Sequence, residues 1–439
     1  MLLTSVPKFF KDRRNKAMKS NPEAAFIFPA NPETLRNPDV TYPFRQESNL
    51  FYLTGFEEPE SVLMLCPMKG GSYKSVMFVR QRDPDRELWD GERYGVEGAK
   101  KIFGFDEVFP IEDFEKRMPD FLMSAQKVFY RVGMNEDMDR TILKGLDTAR
   151  KSMGRSGRGL LPILDPNEVL GELRLFKSAE EVEFQRKACQ ITALAHKQII
   201  REVKPGMNES EVEAMIDYYF RKNGCKRLGY DSIVAGGKNA CCLHYRSNND
   251  ELRDGELLLI DAGGEYNYYT ADITRTFPIG KTFTKPQATI YDLVLKAQME
   301  VIKSVRPGAR LGDLHMKACE ILTEGLVGLG LLKGKVPDLL KTDAFKRFYP
   351  HGTGHWLGMD VHDVGLYRNP AGESRPLQAG MIFTVEPGLY FQLYDKEVPE
   401  EYRNIGIRIE DDVLVTDTGC EVLTKDVPKL REEIEALKK

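Results

Sequence analysis

The chain has 439 residues, of which 41% are hydrophobic and 30% charged, a composition typical of a folded, soluble protein. The 63 basic and 67 acidic residues leave a net charge of −4, which gives no electrostatic reason to expect a nucleic acid partner. No apolar run reaches the length of a membrane span, so no membrane partner is expected either. The length exceeds what one ordinary core needs, and we expect two domains.

The first residues and the cysteines bear on targeting and compartment. Met1 to Lys19 carries six Lys or Arg and one acid, without an apolar signal-peptide core. We predict a basic first helix here, with a transit segment as the alternative. The seven cysteines contain no C-x-x-C pair and are odd in number, which argues against a disulfide framework and predicts a reducing, cytoplasmic setting.

Residues 1–172 are expected to form a mixed α/β domain. Short apolar or alternating runs with the composition of strands occupy Ala24–Pro29, Ser61–Cys66, Ser75–Arg80 and Gln126–Val132. The stretch Leu160–Pro166 contains two prolines and is predicted to be a linker. A second domain is therefore expected over residues 173–439.

A capped helix is predicted to open this second domain. Ser178 and Glu181 have the spacing of a capping box, and an apolar stripe at helical spacing continues from Val182 to Ile199. The helical period and the cap agree on where the helix begins.

The second domain contains an internal repeat. Val203–Gly206 and Val305–Gly308 share a Val-basic-Pro-Gly pattern, and each precedes a predicted helix. Each half then supplies a strand that leads from a glycine to an acid, and a second strand that carries another acid. The four acids are Asp261 after Gly255, Glu386 after Gly380, Asp272 within Tyr268–Phe277 and Glu410 within Ile405–Val415. Two similar halves that face each other would gather these carboxylates near a pseudo-twofold axis.

The four acids are unusual for their surroundings. Asp261 ends an apolar strand and, taken alone, would be interpreted as a turn residue. Asp272 stands in a β-branched run in which aspartate is disfavoured, and Glu386 and Glu410 follow apolar strands. Charged groups in such places are costly unless they are paired or bound to a metal. A shared cation is the simplest account of all four.

Three of the six histidines fall within residues 351–363. One histidine with four carboxylates makes an oxygen-rich site that suits Mn²⁺, Co²⁺, Fe²⁺ or Zn²⁺. Two such ions about 3.5 Å apart can activate a water, so hydrolysis is the predicted reaction. The alternative is a set of loop histidines bonded to backbone groups. His196 and His315 lie on predicted helices and are expected to be structural, whereas the residues around His244 leave its role open.

Together these motifs resemble the pita-bread metallopeptidases, and most closely the Xaa-Pro aminopeptidases (aminopeptidase P). The resemblance covers nearly the whole chain and implies an α+β (mixed α/β) fold. In that fold a smaller creatinase-type N-terminal α/β domain precedes a duplicated, pseudo-twofold pita-bread catalytic domain. The segments that carry the resemblance are Tyr42–Ser48, Tyr52–Phe56, Ile260–Gly263, Asp272–Phe277, His351–Asp363, Thr384–Tyr390 and Gly406–Asp411.

The resemblance also implies a ligand set for two divalent ions, most often Mn²⁺. The ligands would be Asp261, Asp272, His355, Glu386 and Glu410. Asp272 and Glu410 would bridge both ions around a hydroxide that attacks the peptide carbonyl, and the substrate amine would lie near Asp261. Glu386 would carry the proton from the attacking water to the leaving nitrogen.

Further residues would hold the substrate, a peptide with proline in its second position. His362 and His244 would bond the substrate and the tetrahedral intermediate, and His351 a carbonyl further along the peptide. Tyr390 and Arg408 would order the ligands and the substrate end. Such a site also needs apolar walls for the proline ring.

Trp89 matches the family's N-domain tryptophan, which approaches the proline pocket from a neighbouring subunit. The resemblance therefore implies a homodimer or homotetramer, with a core tryptophan as the alternative reading of Trp89. The family's arginines for longer substrates have no clear match here, because Arg155 or Arg158 could supply one and Arg368 or Arg375 the other.

Two rival functions stay open on these residues. A proline dipeptidase (prolidase) would share the ligands and the fold but would need a site closed beyond the second residue. A non-catalytic pita-bread binding protein would be expected to have lost ligands, and all five remain.

Overall fold

The computed structural model describes residues 7–68, 70 and 72–438. The chain divides into two compact units, the first ending at Leu173 and the second beginning at Arg174. Of the helices in the described part of the chain, none has the length and apolarity needed to cross a bilayer.

The first unit is built on a mixed sheet with helices packed against it. Its helices are α1 (Phe9–Ser20), α2 (Ser48–Thr54), α3 (Pro84–Asp90), α4 (Gly95–Phe103), α5 (Phe114–Leu122), α6 (Glu136–Ser152) and α7 (Asn167–Leu175), the last of which ends in the second unit. Its strands are β1 (Ala24–Pro29), β2 (Leu35–Asn37), β3 (Val40–Thr41), β4 (Val62–Pro67), β5 (Tyr73–Val79), β6 (Glu107–Pro110), β7 (Lys127–Phe129) and β8 (Ile163–Leu164).

The sheet of the first unit has the order β6-β5-β4-β1-β7-β8. Its central strands β1 and β4 pair antiparallel and are buried on both faces, which explains their continuous apolar runs. The predicted basic first helix is α1, although residues 1–6 of that prediction lie outside the described residues.

The predicted linker Leu160–Pro166 was wrong in part. Ile163 and Leu164 form the edge strand β8, parallel to β7 with Val128 opposite Ile163. The open edge of β7 offers backbone groups that need partners, and Ile163 and Leu164, which lie between the prolines, can supply them.

The second unit contains paired long helices and short antiparallel strands. Its helices are α8 (Ala179–Glu202), α9 (Glu209–Lys222), α10 (Lys285–Lys303), α11 (Leu311–Gly328), α12 (Val336–Lys341) and α13 (Arg431–Leu437). Its strands are β9 (Arg227–Leu228), β10 (Ile233–Gly236), β11 (Leu257–Ala262), β12 (Gly264–Tyr266), β13 (Tyr269–Thr270), β14 (Ile273–Pro278), β15 (Ile382–Val385), β16 (Gly388–Tyr390), β17 (Gly406–Arg408), β18 (Asp411–Val415) and β19 (Cys420–Val422).

The predicted cap and repeat are both present in the second unit. Ser178 and Glu181 form the capping box of α8. The Val-Lys-Pro-Gly and Val-Arg-Pro-Gly segments precede α9 and α11, as the repeat predicts. Antiparallel strands follow in each half, in the orders β10-β11-β14 and β15-β18-β19.

The two strands predicted to carry Asp272 and Glu410 are each interrupted at the acid. Asp272 lies between β13 and β14, and Glu410 lies between β17 and β18. The reason is that the backbone N–H groups at these positions donate across to the other half of the unit. The N–H of Asp272 donates to Asp412 Oδ2 over 3.1 Å, and that of Glu410 donates to Thr274 O over 3.1 Å. These hydrogen bonds join the two halves at the positions of the two acids.

Candidate metal centre and active site

A cleft of about 640 Å³ lies where the two halves of the second unit meet. All five predicted metal ligands line it, and so do four residues predicted to contact substrate, His244, His351, His362 and Arg408. Several of these side chains lie at strand ends or at the interruptions between strands described above, and these positions face the same cleft. The repeat therefore produces one shared site rather than two separate ones.

Three of the predicted ligands form the tightest group. Ligand atoms of Asp272, His355 and Glu410 all lie within 4.8 Å of one another. His355 Nε2 lies 3.4 Å from Asp272 Oδ2 and 3.5 Å from Glu386 Oε1. The other ring nitrogen, Nδ1, bonds Trp356 O over 3.1 Å, which leaves Nε2 directed to the carboxylates.

Asp261 occupies the end of β11 and is held by two side chains. Arg408 Nη2 donates to Asp261 Oδ2 over 2.5 Å, which links an acid of the first half to an arginine of the second. The hydroxyl of Tyr230 lies 2.6 Å from Asp261 Oδ1 and 2.5 Å from Asp272 Oδ1. Tyr230 was missed in the sequence, where no spacing or neighbour marks it out.

Threonine hydroxyls orient the two glutamates. Thr274 Oγ1 donates to Glu410 Oε2 over 2.6 Å. Thr384 Oγ1 lies 3.3 Å from Glu386 Oε1 and also accepts the backbone N–H of His355 over 3.1 Å. Thr274 lies on β14, which pairs with β11, and Thr384 lies on β15, which pairs with β18, so regular strand backbone fixes the direction of each ligand.

The carboxylates are crowded and largely removed from water. Asp272 is 4% exposed and Glu410 2%. Burial raises the pKa of both groups, and repulsion from the neighbouring acids raises it further. Burial also raises the pKa of Glu386 to about 7, against the opposing charges of His355 and Arg408.

The neighbouring carboxylates also shift the pKa of His355. Burial acts to lower its pKa, but the hydrogen bond and charge of Asp272, with the charge of Glu386, raise it to about 9. The site thus attracts positive charge to the position of the His355 ring. Oxygen donors in this number, with one imidazole, fit divalent cations of the first transition row.

A second chain of contacts runs along one wall of the cleft. His351 Nε2 lies 2.8 Å from the hydroxyl of Tyr390, which accepts from Arg408 Nη1 over 3.0 Å. Burial, followed by the nearby charge of Arg408, lowers the pKa of His351 to about 3, so this imidazole is neutral at physiological pH. The His362 ring lies opposite, 4.3 Å from the His355 ring between centroids.

Some predicted residues lie elsewhere. Trp89 is on α3 in the first unit and is 84% exposed, which rules out the core tryptophan of the alternative reading. None of the four candidate arginines is among the residues that line the cleft, Arg155, Arg158, Arg368 and Arg375. The lining includes Arg246 instead, which no pattern in the sequence singled out.

The two histidines expected to be structural have partners outside the cleft. His196 Nε2 bonds Ala262 O over 3.1 Å, and His315 Nδ1 bonds Thr353 Oγ1 over 2.8 Å. Each ring supports the backbone or side chain of a residue beside the site.

Family comparisons agree with this geometry. The profile of metallopeptidase family M24 matches residues 183–417, and that of the aminopeptidase P N-terminal domain matches residues 10–130. The chain is 42% identical to the Xaa-Pro aminopeptidase of Escherichia coli (strain K12) over 433 residues, covering 99% of this chain and 98% of that protein. It is 35% identical to Xaa-Pro aminopeptidase 3 of Homo sapiens, covering 95% of this chain and 82% of that protein.

Solved structures give the same result. Aminopeptidase PepP of Pseudomonas aeruginosa superimposes with a TM-score of 0.94 at 44% identity, covering 99% of this chain and 98% of that one. A Zn-substituted aminopeptidase P of E. coli in complex with product has a TM-score of 0.94 at 41% identity, with 99% and 98% covered. The predicted α+β fold is thereby confirmed. The chain belongs to metallopeptidase family M24, and its pita-bread catalytic domain follows the N-terminal domain of the aminopeptidase P branch.

Proposed function

We propose that this chain is an Xaa-Pro aminopeptidase that hydrolyses the bond between an N-terminal residue and a following proline with the help of two divalent metal ions. The observation that carries the proposal is the convergence of four carboxylates and His355 on one cleft. The names of its relatives in E. coli and Homo sapiens support the substrate class.

Five side chains would hold the ions: Asp261, Asp272, His355, Glu386 and Glu410. Mn²⁺ is the metal we propose, with Co²⁺, Zn²⁺ or Fe²⁺ as substitutes that the same donor set accepts. When bound, the two ions supply Lewis acidity that activates a water molecule and polarises the scissile carbonyl.

The remaining steps belong to the chain's own residues. Glu386 takes a proton from the attacking water and delivers it to the proline nitrogen, a role supported by a pKa that burial raises to about 7. His362 and His244 donate to the carbonyl oxygen as it becomes an anion. His351, neutral and bonded to Tyr390, binds a carbonyl further along the peptide.

The first unit would complete the site in an oligomer. We propose that the chain forms a homodimer or homotetramer in which Trp89 packs against the substrate proline of a neighbouring subunit. Its 84% exposure in the single chain supports this role, because Leu88 beside it is 82% exposed and adjacent exposed apolar side chains of this size mark interaction sites. The seven cysteines are free thiols, which supports a reducing, cytoplasmic setting.

The test compares a tripeptide and a dipeptide on the purified protein. With Mn²⁺ present, Xaa-Pro-Xaa peptides should lose their first residue, and metal chelation should abolish this cleavage. Cleavage of Xaa-Pro dipeptides alone would assign the chain as a proline dipeptidase. Metal-replete protein that cleaves neither would leave the binding-protein alternative.

A variant tests the two-metal arrangement itself. Asp272→Ala should abolish cleavage, reduce metal content and leave the circular dichroism spectrum of the parent. Substantial activity at unchanged metal content would contradict the role of Asp272 as a metal ligand.

A further inference from the structure

His362 stands in a segment without helix or strand, between the 3₁₀ turn Ala344–Arg347 and β15. Within the described residues its ring accepts and donates no hydrogen bond, and its ring contact is the one with His355. The position of this imidazole over the cleft therefore depends on how the backbone around it is held. Something other than regular secondary structure must do so.

A buried ion cluster lies directly beside this backbone. Arg174 Nη2 donates to Asp363 Oδ1 over 2.5 Å and to Asp360 Oδ2 over 2.7 Å. Lys177 Nζ donates to Asp363 Oδ2 over 3.2 Å. The side chains of Arg174, Lys177 and Asp363 are 2%, 1% and 1% exposed, whereas Asp360 lies at the edge of the cluster with 35% exposed. The two acids stand on either side of His362 in the chain, at positions −2 and +1.

The packing around the cluster leaves it little freedom. A Cβ added to Gly358 would lie 2.1 Å from Asp363 Oδ2 and 3.0 Å from Lys177 Cε. The N–H of Asp363 also donates to Trp356 O over 2.9 Å. Buried charges at these positions are tolerable only when every partner is in place, so this geometry is sharply defined.

We propose that Arg174 and Lys177 are positioning residues, which clamp Asp360 and Asp363 and thereby set the His362 imidazole over the scissile carbonyl. Neither is among the residues that line the cleft, and both act through the backbone of residues 360–363. The inference rests on the proposed function for its kinetic consequence, but its structural consequence can be measured without any turnover.

The kinetic test is a double-mutant cycle on the full chain with Mn²⁺. Arg174→Lys keeps the charge, but its shorter side chain withdraws the donor nitrogen from both acids, and it should lower kcat/KM for an Xaa-Pro-Xaa peptide by about 10- to 100-fold, the effect of a displacement near 1 Å. Metal content should equal that of the parent. In a His362→Ala background the same substitution should have an effect of about twofold or less, because the residue through which it acts is gone. A full further loss in that background would overturn the proposal.

The structural test uses the imidazole signals of ¹³C-labelled histidine in metal-free protein. The chain has six histidines, and the His362 signal is the one that disappears in His362→Ala. It should shift or broaden in Arg174→Lys and in Asp363→Asn. An unchanged signal in Arg174→Lys would overturn the proposal even if the protein cleaved no proline peptide. That arm separates failure of this inference from failure of the proposed function.

A matched control separates positioning from general destabilisation. Leu322→Ala removes a fully buried side chain of α11 and should lower the Tm. It should leave both kcat/KM and the His362 signal at the parent values. If this control reproduced both effects, the loss in Arg174→Lys would reflect stability alone.

Discussion

Removal of the metal ions should make the second unit less stable as the pH rises from 6.5 to 8. In the metal-free protein the pKa of His355 is about 9 because Asp272 and Glu386 outweigh the effect of burial, whereas the ordinary value is 6.5. The folded protein therefore holds a proton that the unfolded chain releases in this window. Stability that His355 contributes below pH 6.5 is progressively lost above it.

The loss of unfolding free energy follows from the width of the pH range. From pH 6.5 to 8, at 1.36 kcal/mol per pH unit, one such proton is worth about 2 kcal/mol. For a unit of this size that corresponds to roughly 4–8 °C in Tm. The window starts at 6.5 because buried His196 and His351 have pKa values of about 4 and 3 and contribute with the opposite sign below it.

The assay is thermal unfolding of chelator-treated and Mn²⁺-loaded protein across this pH range. Of the two tryptophans, Trp356 is fully buried in the second unit, so a Trp89→Phe protein reports the unfolding of that unit by fluorescence. The metal-loaded protein should show the reverse trend or none, since the ligands bind metal in their deprotonated forms. The gap between the two Tm values should therefore widen as the pH rises.

Two variants make the result specific to His355. His355→Gln cannot titrate, so its metal-free form should lose the share of the pH dependence that His355 contributes and keep the share from Glu386, whose pKa of about 7 also lies in this range. His315→Gln removes a histidine outside the cleft and should keep the full pH dependence. A metal-free Tm that stays level or increases from pH 6.5 to 8 would refute the reasoning.

Three further outcomes are expected. Arg408→Lys cannot keep the bonds that the guanidinium makes, including that to Asp261, and should lower kcat/KM by about 10- to 100-fold with an unchanged circular dichroism spectrum. Tyr230→Phe removes a hydroxyl bonded to two ligand carboxylates and should weaken Mn²⁺ affinity by about 10- to 100-fold in a calorimetric titration; unchanged affinity would contradict this. Asp411→Asn leaves the buried guanidinium of Arg275 without its partner charge and should lower the urea unfolding free energy by roughly 3–5 kcal/mol, against no change for an exposed control such as Glu373→Gln.

The ligand positions could be predicted from the sequence because each acid contradicts its surroundings. An aspartate in a β-branched run, or a glutamate after an apolar strand, is unfavourable unless something binds its charge. The internal repeat indicates that one shared metal site accounts for all four acids. The strand boundaries of β1 and the capping box of α8 were similarly determined by local chemistry.

The features that could not be predicted depend on contacts between distant parts of the chain. The interruptions at Asp272 and Glu410 arise from hydrogen bonds between the halves, which no local pattern records. Tyr230 becomes important only when β11 and the break after β13 bring two carboxylates to its hydroxyl. Ile163 and Leu164 join the sheet because the backbone groups at the open edge of β7 need hydrogen-bond partners.

The interruptions in the strands have a consequence for how this domain came to exist. Asp272 depends on an acceptor at Asp412, and Glu410 on the carbonyl of Thr274, so neither repeat can orient its own acid without the other. A gene that encoded a single repeat would have had to pair two copies of its product before any such centre could form. Fragments separated in the segment between β14 and α10 should likewise regain a competent cleft only when mixed.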